Sequence, residues 1–203
     1  GAAGSVVARR LAEDPACSVL LIEAGGSDDN STVTLASSYP LVRFPELFWK
    51  YEAKPEAGLN GRSMVELMGK VVGGGSSVNT MVWARGHKAD FDRWAELTGD
   101  SGWNYDNALR LYRKIEDWQG APDPVRRGKG GPVWVQTAQN PCPLAPAMVE
   151  AATGFGIPAF DDHNGAMMEQ DGGAALANLI VKDGNRRNMP VAYLHPVLDR
   201  PNI

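Results

Sequence analysis

The chain has 203 residues, 43% hydrophobic and 22% charged, and its 20 basic and 24 acidic side chains give a net charge of −4. That is enough apolar material for a packed core, which argues against a disordered chain, and the acidic balance offers no electrostatic footprint for nucleic acid. No run of about 18 apolar residues is present to span a membrane. Cys17 and Cys142 show neither metal-ligand spacing nor a disulfide framework and read as free thiols of a reducing compartment, so a cytoplasmic location is expected. The first residue is not Met, which leaves a leader open. Gly1-Ala2-Ala3-Gly4 resembles the middle of a turn, and Pro201-Asn202-Ile203 stops where a strand would begin. The expectation is a segment cut at both ends, unstable as an isolated polypeptide.

In chain order, Ser5 to Asp14 reads as a helix with Val7 and Leu11 on one face, stopped at Asp14-Pro15. Ser18-Val19-Leu20-Leu21-Ile22 is a continuous apolar run, as in a strand buried on both faces of a parallel sheet. Together they form the second half of a βαβ nucleotide unit, with Gly1 and Gly4 at the second and third glycines of a Gly-x-Gly-x-x-Gly turn. Gly1 would let the backbone approach a pyrophosphate, and Gly4 would let the helix pack on its strand. Glu23 follows Gly4 by 19 residues, near the acidic position about 20 residues on that binds ribose hydroxyls. A carboxylate there repels a 2′-phosphate, so FAD or NAD fits better than NADP. Helix–strand packing without any ligand is the competing reading.

The second glycine cluster, Gly73-Gly74-Gly75-Ser76-Ser77-Val78-Asn79-Thr80, carries the sharper signal. Three glycines give a backbone able to approach a flat ring, and successive N–H groups form an anion-binding nest. Lys70 precedes the glycines, so this is not a Walker loop. Asn79 can donate to and accept from the polar edge of a ligand, or hold the loop in an Asx turn. Ser76 and Ser77 can cap a helix through Thr80–Ala84. Arg85-Gly86-His87 reads as an ion-paired surface turn, and Phe91 to Trp94 as a helix packing its aromatic residues.

The stretch Gly69 to Asp92 resembles the first signature of the glucose–methanol–choline (GMC) oxidoreductases. So do the Gly1–Gly4 remnant, Leu20-Leu21-Ile22-Glu23-Ala24-Gly25-Gly26, Gly102-Trp103-Asn104-Tyr105-Asp106 and Gly130-Gly131-Pro132, in the family's order over nearly the whole chain. The resemblance implies an α/β (α+β overall) fold: a truncated Rossmann-like FAD-binding domain over residues 1–133, and the start of a substrate-binding sheet region over 134–203. It implies cofactor contacts at Gly1, Gly4, Glu23, Gly75, Asn79, Thr80 and Val82. Some members attach FAD through a His just before this Asn; Val78 stands there, so FAD is expected to be non-covalent. The implied reaction oxidises an alcohol to an aldehyde or ketone, with hydride passing to the flavin N5 and oxygen or a dye or quinone as electron acceptor. The implied catalytic His belongs to the family's C-terminal part, so no catalytic residue and no metal ligand is assigned here. A lyase-type member, an NAD-linked enzyme and a non-catalytic module are the alternatives.

Further on, Tyr105 to Asp117 and Leu144 to Gly154 read as helices, Pro132 to Gln136 and Ala177 to Val181 as strands, and Val191 to Leu198 as a helix. Arg126, Arg127 and Lys129 in the Gly/Pro loop are expected to be solvated. Asn188-Met189-Pro190 departs from the small polar residues usual in the family. His87, His163 and His195 fall in no nucleophile or metal spacing, and His195 is expected to have a packing or surface role.

Overall fold

A computed structural model describes residues 1–41 and 45–203. The fold is mixed α/β and falls into two compact units. The first comprises Gly1–Met81 and Asp183–Ile203, the second Val82–Lys182. The sequence division at 133/134 falls elsewhere, inside one strand of the second unit.

The first unit opens with helix α1, Ala2–Ala12. Its buried face is Ser5, Ala8 and Ala12, small residues that let the turn Pro190–Leu194 pack close. The expected apolar face is thereby corrected: Val7 and Leu11 are about half exposed, at 55% and 49%. Carbonyls at the C-terminal end of α1 are met from far along the chain. Arg200 Nη1 donates to Ala12 O, and Asn202 Nδ2 donates to the carbonyls of Ala12, Asp14 and Cys17.

Residues 18–22 do not form the expected strand. Val19 N–H donates to Asn202 O, but no neighbouring strand among the described residues completes a ladder. Leu20 and Ile22 are accordingly 84% and 82% exposed. A short helix α2, Ser31–Thr34, follows, capped by Asn30. Strands β1, Phe48–Glu52, and β2, Val65–Gly69, pair antiparallel, Phe48 opposite Gly69. Val33, Leu47 and Val71 form a buried cluster against which Phe48 and Val78 pack. The expected helix at 191–198 is instead a π-helical turn, Pro190–Leu194, and a 3-10 turn, His195–Val197. Pro196 has no N–H to continue an α-helical ladder.

The second unit holds a four-stranded sheet. Its strands are β3, Val82–Trp83, β4, Glu116–Trp118, β5, Val133–Thr137, and β6, Asn178–Leu179, in the order β3-β6-β5-β4. β4 and β5 run parallel, and the other pairs are antiparallel. The helix expected through Thr80–Ala84 is therefore absent: Val82 and Trp83 pair with Leu179 and Asn178. Three helices complete the unit: α3, Lys88–Thr98, α4, Tyr105–Ile115, and α5, Leu144–Thr153. α3 is N-capped by His87, whose Nδ1 accepts the Ala89 N–H while Nε2 lies 2.8 Å from Gln170 O. The accepting Nδ1 places the ring proton on Nε2. Phe91 and Trp94 meet edge to face at 5.5 Å, as the aromatic-packing expectation requires.

The interior of this unit is charged. Glu116, fully buried, accepts from Arg85 and Arg127 guanidinium groups, from Trp83 Nε1 at 3.0 Å and from the Gly128 N–H at 3.2 Å. Arg85 is thus a buried ion-pair partner at 6% exposure, not a residue of a surface turn. Arg127, expected in solvent, is 5% exposed, donates to Asn178 Oδ1 and lies 3.6 Å over the Trp118 ring. Arg126 is also corrected, since it forks onto Glu169 at 2.9 Å through Nε and Nη2. Lys129 alone of the three is largely solvated.

Burial holds the His163 imidazole below its ordinary pKa. In the folded state it takes up its proton only at lower pH than in the unfolded chain, which does so below about pH 6.5. Stability contributed by this group is present above that pH and is lost as pH falls through the window beneath it. Thermal melts between pH 8 and 5.5 will show this decline, and His163→Gln will flatten it; an equally steep decline in the variant would exclude His163 as its source.

Candidate functional site

Within the first unit, the structure brings the two glycine turns into contact. The 3-10 turn Gly74–Ser77 follows Gly73 in the left-handed region at φ 86°. Gly74 also has a positive φ, 53°, and a Cβ there would lie 2.8 Å from Gly1 Cα. The N-terminal turn of α1 therefore abuts the loop, and no side chain caps that helix end. Such an end presents unpaired N–H groups and a partial positive charge.

Glu23 stands beside them. Its Oε1 accepts the Gly25 N–H at 2.9 Å, and its Oε2 is 3.5 Å from the Gly1 nitrogen. Gly75, Asn79 and Thr80 are exposed on the loop and the turn that follows it. Gly4 lies on the exposed side of the first turn of α1, with no described atom within 4 Å of a Cβ position. Val82 belongs to the second unit, where it opens β3 and is 41% exposed. Lys70 lies 4.5 Å over the Trp49 ring.

The loop is held from beneath by polar side chains. Ser76 Oγ donates to Gly73 O at 2.8 Å, and Ser77 Oγ donates to Val72 O at 2.6 Å. The two serines thus hold their own loop, not a helix. Asn79 forms the Asx turn that was its structural alternative: its Oδ1 accepts the Met81 N–H at 3.0 Å, steadying Met81 at φ 62°. Val78 turns into the Val33–Leu47–Val71 cluster.

Four residues that support the loop were not assigned to it from sequence. Arg186 is 2% exposed and donates to Val33 O, Asn79 O and Asn79 Oδ1 at 2.8–2.9 Å. Burial pulls its pKa down to about 10, so it stays charged at neutral pH. Asn188 donates to Ser77 Oγ and to Asp28 Oδ2, both at 2.9 Å. Asp28 in turn faces His195 Nε2 at 3.1 Å. These residues line a cavity of about 760 Å³ together with Gly25, Gly26 and Leu21. A Gly-Asn-Arg-Arg run is visible in the sequence, but its hydrogen-bond partners, about a hundred residues away, are not.

The GMC oxidoreductase family model matches residues 1–203. The chain belongs to the GMC oxidoreductase family. Within this FAD-dependent family it is similar to the oxygen-dependent choline dehydrogenase of Sinorhizobium medicae, 40% identical over 205 residues, all of the chain but 36% of that relative. A solved pyridoxine 4-oxidase from Mesorbium loti superposes with a TM-score of 0.91 at 34% identity, covering 100% of the chain and 39% of its own. An FAD-dependent oxidoreductase from Chaetomium thermophilum superposes at 0.87 with 30% identity, over 100% of the chain and 36% of its own. The GMC chain thus spans less than half the length of these relatives.

Proposed function

We propose that the protein carrying this chain binds FAD without a covalent link and oxidises an alcohol to an aldehyde or ketone. In this reading the chain carries a Rossmann-like cofactor region and the start of a substrate-side region. The observation that carries it is the approach of Gly74 to Gly1 beside Glu23. A side chain at Gly74 would fill the close approach between the two turns, and the α1 N-terminus offers N–H groups suited to a pyrophosphate. Gly1 would let the backbone approach the phosphates, Gly4 would keep the turn tight for the helix that faces them, Glu23 would take the ribose hydroxyls, and Gly75, Asn79 and Thr80 the loop-side edge of the cofactor. Val82 is assigned to the cofactor by resemblance alone. Bound FAD supplies the hydride acceptor, and the chain supplies binding and orientation. Non-covalent attachment is supported by Val78, an aliphatic residue turned into an apolar cluster.

The test is to express the open reading frame that carries this sequence and record visible absorbance before and after acid precipitation. Flavin bands that pass into the supernatant are the expected result. Bands that stay with the pellet overturn the non-covalent reading. A colourless protein that takes up no added FAD overturns the cofactor reading. An alcohol panel, run with oxygen or with a dye, then separates oxidase from dehydrogenase behaviour.

A further inference from the structure

We propose that Asn79 meets the cofactor only as a hydrogen-bond donor, and that buried Arg186 is the positioning residue that fixes it so. This rests on the FAD reading of the glycine loop and adds a direction to it. A free carboxamide offers an acceptor at one end and donors at the other, and its orientation is settled by the network around it. Here Oδ1 faces two groups that can only donate, the Met81 N–H at 3.0 Å and Arg186 Nη1 at 2.8 Å. Those two bonds occupy the lone pairs of the oxygen. Turning the amide over would set its NH2 against both donors.

Arg186 cannot follow such a turn. Its Nε is tied to Val33 O at 2.9 Å, and Nη1 also holds Asn79 O at 2.8 Å. It forms no ion pair among the described residues; Nε and Nη1 go to oxygens of the loop and its surroundings, and Nη2 has no partner there. Asn79 itself is exposed, and among the described residues its Nδ2 has no partner. What the residue offers outward is therefore NH2 alone. The ligand edge it meets must be an acceptor, such as a ring carbonyl, an unprotonated ring nitrogen or a phosphate oxygen, and not an N–H.

The deciding variant is Asn79→Asp in the full-length protein. The carboxylate keeps an oxygen for Met81 and Arg186 and gains a charge partner, but it presents oxygen where NH2 stood. Thermal melts of the FAD-free protein are expected to match or exceed wild type, while the Kd for FAD, followed by quenching of flavin fluorescence, rises roughly 10- to 100-fold. Wild-type affinity in this variant would overturn the proposal, because an Asx turn alone is served by Asp as well as by Asn. Arg186 is tested by a double-mutant cycle with Asn79→Ala and Arg186→Lys. If Arg186 acts through Asn79, the double variant binds FAD no more weakly than Asn79→Ala alone. Fully additive losses would remove Arg186 from the role. Failure of the wild-type protein to bind FAD would instead sink the cofactor reading beneath both.

Discussion

Replacing Glu116 with Ala is expected to destabilise the second unit by about 3–5 kcal/mol, the usual cost of breaking a buried ion pair from one side. The carboxylate is fully buried between two guanidinium groups, at 6% and 5% exposure, and also receives Trp83 Nε1 and the Gly128 N–H. Its loss leaves buried Arg85 without its carboxylate and Arg127 with Asp162 alone. Glu116→Gln is expected to be nearly as costly, because its amide nitrogen would oppose a donor on whichever side it turned. Domains are commonly stable by only about 5–15 kcal/mol, so the Ala variant should accumulate poorly. Urea unfolding of the two variants is the measurement. A loss under about 1 kcal/mol would mean that the cluster is hydrated and weakly coupled.

Gly74→Ala is expected to leave a folded protein that has lost most of its flavin. Left-handed backbone costs an L-residue about 1–2 kcal/mol, and the new methyl would stand 2.8 Å from Gly1 Cα. That neighbour is backbone, so the two turns must part. With overpacking at about 1–3 kcal/mol, FAD affinity should fall by about tenfold or more. Gly75→Ala provides the contrast. It has open space at its Cβ position and no positive φ, so the FAD-free melt should be unchanged. Equal flavin content in Gly74→Ala and wild type would show that the contact with Gly1 is not needed for binding.

What the sequence revealed and what it concealed divide by distance along the chain. The glycine clusters, Glu23 and the helices at 105–115 and 144–153 were legible because spacing and caps are local signals. Asn104, for instance, accepts the Asn107 N–H at the start of α4. The burial of Arg127 was not legible, since a Gly/Pro-rich loop with three cations has the composition of a solvated one. What turns it inward is Glu116, Asp162 and Asn178. The wrong face of α1 has a similar origin. Val7 and Leu11 carry the apolar signal, but the neighbour that arrives is a turn that needs small residues to approach. The strand at 18–22 failed because a ladder requires a partner, which an apolar run does not encode. The long interval between Asn79 and Arg186 likewise hid the most tightly held part of the candidate site.

That interval also sets an order of events during synthesis. Unit 1 is discontinuous, and all of unit 2 lies between its two pieces. At about 5–20 residues per second, Arg186 leaves the ribosome roughly 5–20 s after Asn79. Through that delay, while residues 82–182 are being delivered, the glycine loop exists without its guanidinium clasp. The candidate site is thus completed later than the segment that carries its glycine turns, and a ribosome stalled before residue 186 would hold a nascent chain with both glycine turns and Asn79 held only by its turn to Met81.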